Sequence, residues 1–407
     1  MKIKIISLIV IIILGISACK TIESAEPNLG ELVTTTLTPE PIAAEKLIPT
    51  PTHEPVLISF KKSEQTFDPI PTWKIGLADL DGDDDLDAVF ANSLANASQV
   101  WLNDGSGFLF DSGQEFGSHG HGVDVGDVDN DGDLDIVLTT HEFVPTRVYL
   151  NDGGGTYDEL EGAFEETTGH SVDLYDLDGD SDLDAVGEIG TGSTRIFWND
   201  GGGKFTASDI SFPRTTTWGD LDGDGDIDLL LKENKVGYSV HLNDSQGSFS
   251  QYSKLADPQA MNIGGMTLGD IDHDGDLDAV VTNGFHRMDS YPGMVLLNDG
   301  TGKLADSGQR LDPVTDAGVS LGDLDNDGDL DLVLTDYLNP CQIWLNDGSG
   351  AFQDSGFRFG SGQFYTHALL GDLDGDDDLD IFLSTFGMDQ GPNEIWFNQL
   401  LGEPGST

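Results

Sequence analysis

Between residues 79 and 398 short apolar runs alternate with polar, glycine-rich segments, and none carries the 3.6-residue apolar period of an amphipathic helix. Runs such as Ala88-Val89-Phe90, Ile136-Val137-Leu138 and Leu229-Leu230-Leu231 are continuously apolar, as strands buried on both faces are. Each is followed, after a variable stretch, by an alternating segment ending in Asn-Asp-Gly or a close variant. Examples are Val100-Trp101-Leu102-Asn103-Asp104-Gly105, Val148-Tyr149-Leu150-Asn151-Asp152-Gly153 and Ile343-Trp344-Leu345-Asn346-Asp347-Gly348. Asn, Asp and Gly tolerate positive φ, so this ending predicts a hairpin turn. A Gly-x-Phe-like strand follows, as in Gly350-Ala351-Phe352.

The unit recurs. A run with Asp at every second position begins at Asp79, Asp127, Asp176, Asp220, Asp270, Asp323 and Asp372, at spacings of 48, 49, 44, 50, 53 and 49 residues. Four short strands repeating at that length read as β-propeller blades, and seven copies give seven blades. The seventh stops at Glu394-Ile395-Trp396-Phe397-Asn398 without a fourth strand, whereas Val56-Leu57-Ile58-Ser59-Phe60, extending to about Phe67, precedes the first copy unassigned. The expected fold is an all-β, seven-bladed β-propeller of four-stranded blades over residues 56–398. The N-terminal strand completes the last blade, so no blade edge stays unpaired.

The N-terminus differs. Lys2 and Lys4 precede the apolar run Ile5–Leu14 and a small-residue approach to Cys19, the layout of a secretory signal rather than of a spanning helix. Ile16-Ser17-Ala18-Cys19 resembles the bacterial lipobox, which implies cleavage after residue 18 and lipidation of Cys19. Residues 19–55 are rich in Thr and Pro, a semi-stiff tether, and 399–407 form a short tail.

Charge sharpens the picture. The chain has 407 residues, 74 Asp+Glu against 18 Lys+Arg, and a formal net charge of −56. Nucleic-acid binding is excluded, because phosphate neutralisation needs clustered cations. The membrane is reached only through the N-terminal lipid, not through a basic patch. Cys341 has no partner once Cys19 is lipidated, so no redox role follows.

The acids themselves suggest their purpose. The expected metal residues are Asp79, Asp81, Asp83, Asp85 and Asp87; Asp127, Asp129, Asp131, Asp133 and Asp135; Asp176, Asp178, Asp180, Asp182 and Asp184; Asp220, Asp222, Asp224, Asp226 and Asp228; Asp270, Asp272, Asp274, Asp276 and Asp278; Asp323, Asp325, Asp327, Asp329 and Asp331; and Asp372, Asp374, Asp376, Asp378 and Asp380. In a tight loop the side chains at positions 1, 3, 5 and 9 turn toward one centre, with a carbonyl from position 7. Such an all-oxygen cage suits Ca²⁺, up to seven ions in a structural role. The position-7 side chains are expected to face solvent. Gly, Asn or His at position 4, and Gly at position 6 in four copies, stand where a sharp turn requires them. Asp84, Ser181 and Asp377 replace that Gly in the other three and predict some strain.

The run Gly126-Asp127-Val128-Asp129-Asn130-Asp131-Gly132-Asp133-Leu134-Asp135-Ile136-Val137-Leu138 resembles the FG-GAP/VCBS repeat, the calcium-loop blade also found in integrin α-subunit propellers. All seven copies match. The resemblance implies Ca²⁺ in the loops between first and second strands. It implies little about ligand, because fold does not give function.

The opposite face is where a ligand is expected. Six residues before each first Asp stand Trp73, His121, His170, Arg214, Gly264, Ala317 and Thr366, which would ring one mouth of the channel. His141, His286, Arg287 and His367 fall in nearby connections or strand starts, with Phe143, Arg147, Phe285, Tyr291, Tyr337 and Phe386 around them. Aromatic faces beside His and Arg suit a sugar or acidic glycan. His119-Gly120-His121 alone is a weak metal signal. The functional expectation is a monomeric, non-catalytic binding or adhesion module, lipid-anchored at the cell surface, for a glycan or an extracellular protein. The alternative is a calcium-dependent, lyase-like enzyme acting on polysaccharide, with its site on the channel face. Nucleophile-elbow, zinc-protease and dinucleotide motifs are absent from the sequence.

Overall fold

The computed structural model describes residues 58–400 apart from 142–144, 166–167, 190–192, 214, 234, 258–263, 286–288, 315–317, 338, 361–363 and 387–390. The expected signal, the whole tether from Cys19, Val56 and Leu57 of the expected closing segment, most of the tail, Phe143, Arg214, His286, Arg287 and Ala317 lie outside the described residues.

The described residues form seven four-stranded antiparallel sheets, arranged as blades of a ring, and contain no helix. Blade 1 shows why the sequence folds this way. Its innermost strand is Thr72–Ala78, followed by Asp87–Asn92, Ala97–Asn103 and the outer Leu109–Ser118. Every residue of Asp87–Asn92 is buried, as is every residue of Asp135–Thr140 in blade 2. Continuous apolar runs therefore become second strands, covered on both faces by neighbouring blades. Outer strands such as Gln353–Phe359 alternate exposed and partly buried positions.

The core is divided among the seams between blades. Leu80, Val89, Ala91, Val100 and Phe116 of blade 1 pack against Val123, Ile136, Leu138, Tyr149 and Tyr157 of blade 2. At the seam joining the ends of the ring, Ile75, Ala88, Phe90 and Leu109 meet Leu373, Phe382 and Ile395. Close approach here depends on Gly371: a Cβ at that position would lie 2.5 Å from the Leu86 Cδ1 atom. Leu86 belongs to the acidic loop of blade 1, so the loop is wedged into blade 7.

Blade 7 consists of Tyr365–Gly371, Asp380–Thr385 and Glu394–Asn398, and its outer strand is Phe60–Lys62. This strand runs antiparallel to Glu394–Asn398, with Phe60 opposite Asn398. The Ser63 N–H donates to the Ile395 carbonyl at 2.8 Å, and the Gln399 N–H to the Ser59 carbonyl at 2.7 Å. Phe60 is buried against Phe357 and Phe359, with ring centroids 5.8 and 6.5 Å away. The expected closing strand is thus present, and the ring has no free edge at that junction. Lys62 adds an ion pair with Glu394 at 2.7 Å; its own side chain is 44% exposed, whereas the side chain of Glu394 is fully buried.

Closure rests chiefly on apolar burial. Phe60→Ala is expected to lower unfolding free energy by about 3–5 kcal/mol, and Lys62→Ala, which leaves the buried Glu394 carboxylate without its cation, by about 1–3 kcal/mol. Urea denaturation of both variants in calcium is the check.

Candidate functional site

Each acidic loop joins the first strand of a blade to the second. In blade 1 it follows Ala78 and ends at Asp87, the first residue of the fully buried strand. Rigid strands thus fix both ends of the loop. Carboxylates at positions 1, 3 and 9 converge: Asp79, Asp81 and Asp87 offer oxygens within 4.8 Å of one another, as do Asp127, Asp129 and Asp135, Asp176, Asp178 and Asp184, Asp220, Asp222 and Asp228, and Asp270, Asp272 and Asp278.

The positions differ in what holds them. Asp79, at position 1, accepts the Gly82, Asp83 and Asp84 N–H groups at 2.8, 3.1 and 3.0 Å, which bends the loop around its carboxylate. Asp83, at position 5, accepts the Asp85 N–H at 3.1 Å. Asp87, at position 9, accepts the Leu80 N–H at 2.9 Å and the Asn103 N–H at 2.7 Å, tying the loop to the third strand. That double bond recurs in every blade, for example at Asp331 with Leu324 and Asn346.

Position 3 is the exception. One oxygen each of Asp81, Asp129, Asp178, Asp222, Asp272, Asp325 and Asp374 is buried and accepts no hydrogen bond. A buried carboxylate oxygen without a donor is costly, and seven recurrences at the same loop position indicate a site. Burial and the neighbouring Asp83 and Asp79 charges raise the pKa of Asp81. The donor set is all oxygen and negative, which fits a hard divalent cation and not a metal that prefers nitrogen or sulfur. Positions 1, 3 and 9, whose oxygens converge, would hold it, and the ion would supply the positive charge these carboxylates lack; position 5, expected as a fourth ligand, stands outside these converging trios.

The turns explain the residue choice. Position 6 has φ between 94° and 99° where it is Gly132, Gly225, Gly275 or Gly328, whereas Asp84, Ser181 and Asp377 sit at 72°, 74° and 68°. In those three loops position 4 is glycine (Gly82, Gly179, Gly375), so no loop holds bulky residues at both left-handed positions.

The position-7 side chains do not simply face solvent. A Cβ added at Gly105 would lie 2.7 Å from an Asp85 oxygen, so this carboxylate packs on the Asn-Asp-Gly turn of its own blade. Others receive donors from the preceding loop. Asn130 donates to Asp182 at 2.8 Å, Asn326 donates to Asp378, and the His273 Nε2 atom lies 3.5 Å from Asp329. A non-glycine residue at position 4 thus reaches the next loop.

A second link was hidden in the Asn of Asn-Asp-Gly. The Asn103 side-chain amide donates to the Leu86 carbonyl of its own loop at 3.1 Å and to the Leu373 carbonyl of the blade 7 loop at 2.8 Å. Asn151, Asn199, Asn243, Asn298, Asn346 and Asn398 reach Leu80, Val128, Leu177, Leu221, Ile271 and Leu324 in the same way. Every acidic loop is therefore bonded to the next blade, around the whole ring. The signal available in the sequence was that Asn243 and Asn398 stand at this position even where Gly no longer follows.

Several residues expected on the opposite face lie close together. Trp73 stacks on His121 with ring centroids 4.2 Å apart and on Phe386 at 3.6 Å. His121 lies 4.5 Å from His170 and 5.9 Å from His141, centroid to centroid. Thr366 donates to the Trp73 carbonyl at 3.2 Å, and the neighbouring His367 is exposed. Arg147 instead pairs with Glu159 at 2.7 Å, and Tyr337 stacks on Phe364 at 3.9 Å, so neither belongs to the cluster around Trp73.

Sequence reasoning missed a charged group on the first strands. Lys74 lies 3.0 Å from Asp173 and donates to the Val172 carbonyl at 3.2 Å, while Asp124 accepts the Leu174 N–H at 2.8 Å. Burial alone would lower the Lys74 pKa, but the Asp173 and Asp124 carboxylates more than offset it and the pKa rises. Burial pushes Asp124 up to about 6 despite Lys74.

An FG-GAP-like repeat model matches residues 79–138, 176–231, 220–281 and 323–383. These segments contain all seven acidic loops and more than half of the chain, which belongs to the FG-GAP-like repeat family. No curated protein matches it. Among solved structures, a crystal structure of BBS1N in complex with ARL6DN, soaked with mercury, matches with a TM-score of 0.54 at 10% identity, covering 84% of this chain and 97% of that one. The corresponding lead-soaked crystal gives 0.52 at 10% identity, with coverage of 84% and 97%. At that identity the likeness shows the fold alone.

Two outcomes follow. Asn151→Ala, which breaks a buried clamp between the loops of blades 1 and 2, is expected to cost about 1–3 kcal/mol in chemical denaturation. The second concerns pH. Burial, partly offset by the two backbone donors, raises position 9 from 3.8 to about 6 at Asp87, Asp135, Asp228 and Asp278, about 7 at Asp184 and Asp380, and about 8 at Asp331. A raised folded-state pKa contributes stability below the unfolded value that is lost as pH rises through the folded one. The metal-free protein should therefore melt lower at pH 8 than near pH 5. A divalent cation, which needs ionised carboxylates, should abolish or reverse that trend in scanning calorimetry.

Proposed function

We propose that the protein is a calcium-stabilised binding module, anchored at the cell surface through lipid on Cys19, that recognises a glycan or an extracellular protein without transforming it. Calcium is favoured by the orphaned position-3 oxygen in each of the seven loops. Extracellular modules bind Ca²⁺ with Kd of about 10⁻⁴–10⁻³ M. At about millimolar calcium each site then contributes about 0.4–1.4 kcal/mol. Seven such sites are comparable with the stability of about 5–15 kcal/mol of an ordinary domain.

The recognition role is supported by the aromatic mouth in which Trp73 is sandwiched between His121 and Phe386, on elements the strands hold rigid. Aromatic rings at such a mouth suit the apolar face of a sugar or side chain, and the imidazoles of His121 and His170 lie half-buried beside them. The Thr/Pro-rich tether would hold this mouth away from the lipid.

Chelation is expected to lower the melting temperature sharply, and readded Ca²⁺ to restore it; an unchanged melting curve would remove calcium from the account. A panel of glycans and matrix proteins, run with and without chelator beside a lyase assay on acidic polysaccharides, tests the role. Calcium-dependent binding without turnover is expected. Turnover abolished by His121→Ala or His170→Ala would replace the binding module with an enzyme.

A further inference from the structure

Three histidines from two adjacent blades meet at the channel mouth. His121 lies on the first strand of blade 2, Gly120–Gly126; His141 directly follows the second, Asp135–Thr140; and His170 precedes the first strand of blade 3, Asp173–Tyr175. Their ring centroids are 4.5 Å apart for His121 and His170, 4.8 Å for His141 and His170, and 5.9 Å for His121 and His141. The backbone fixes them. The Gly169 N–H donates to the Thr140 carbonyl at 2.9 Å, the His170 N–H to the Glu188 carbonyl at 2.8 Å, and the His141 N–H to the His119 carbonyl at 2.9 Å. Gly122 lets the blades approach, since a Cβ there would lie 2.8 Å from the Ser171 Cα atom.

We propose that His121, His141 and His170 form a second kind of metal site, which takes one late first-row divalent cation such as Zn²⁺ or Cu²⁺ and is separate from the acidic loops. The nitrogen geometry carries it. His121 Nδ1 is 2.8 Å from the His170 carbonyl oxygen, so it is the protonated nitrogen and donates there, leaving an unprotonated Nε2. That Nε2 stands 3.2 Å from His170 Nδ1, the donor of the pair in the metal-free protein; a metal would take the place of that proton, with His170 shifted to its Nε2–H tautomer. Two imidazole nitrogens sharing a tetrahedral Zn²⁺ at about 2.05 Å lie about 3.3 Å apart, with ring centroids about 5 Å apart. A ring N–H bonded to a backbone carbonyl is also how a metal-binding histidine is commonly oriented. His141 is exposed, so its ring can turn a nitrogen toward the other two. Nitrogen donors select against Ca²⁺ as strongly as the carboxylate loops select for it, so the two sites discriminate between cations. Trp73, stacked on His121, would wall the site.

The test is copper uptake by the calcium-saturated protein, read by electron paramagnetic resonance. One equivalent of Cu²⁺ should show nitrogen superhyperfine structure, and should displace Zn²⁺ bound beforehand. His121→Ala and His170→Ala should lose the nitrogen pattern, and His141→Ala should weaken uptake at least about tenfold. Melting in calcium verifies that each variant is folded, and His121→Gln replaces any alanine variant that is not. An oxygen-only spectrum, or one unchanged in the triple alanine variant, would overturn the proposal and leave His121 and His170 as a hydrogen-bonded pair.

Discussion

The structure depends on how each tight loop tolerates its carboxylates. At least five Asp residues within nine positions repel one another, and the loop answers most of them with its own backbone. Position 1 takes up to three N–H groups, position 5 takes one, and position 9 takes two. The position-3 oxygen receives none. A cation at that point would turn the most repulsive part of the molecule into its fastening, and the consequence would not stay local. Each loop is wedged against a neighbouring blade and bonded to it by a buried Asn, so strain in one loop is felt at a seam.

Much of this was legible because the repeat is regular. Asp at every odd loop position pointed to clustered oxygen donors, and the continuous apolar runs to the buried second strands. The spare segment ending at Phe60 indicated closure. What escaped the reading needed the ring itself. Asn103 looked sufficiently explained by its hairpin turn, and nothing in a linear pattern says that its amide reaches Leu373, 270 positions away. Asp85 and its counterparts appeared surplus to the cage, but curvature brings position 4 of one loop beside position 7 of the next. Lys74, Asp124 and Asp173 stand on three different first strands, and only closure brings them together.

The two ends of the channel thereby acquire different chemistry from one scaffold. The rim of acidic loops is periodic, uses hard oxygen donors and serves every blade alike. The mouth around Trp73 is irregular: His121, His141 and His170 come from two blades and have no equivalents in the described residues of the others. Periodicity suits a stabilising role, and its local breakdown is where a propeller of equivalent blades can become selective.

The central claim is that the loops grip divalent ions, and a direct count tests it most plainly. Equilibrium dialysis of the purified protein against millimolar ⁴⁵Ca²⁺ should find about seven ions per chain, one for each acidic loop. Essentially no bound calcium would contradict the account, and some other origin would then be needed for seven buried oxygens without a donor.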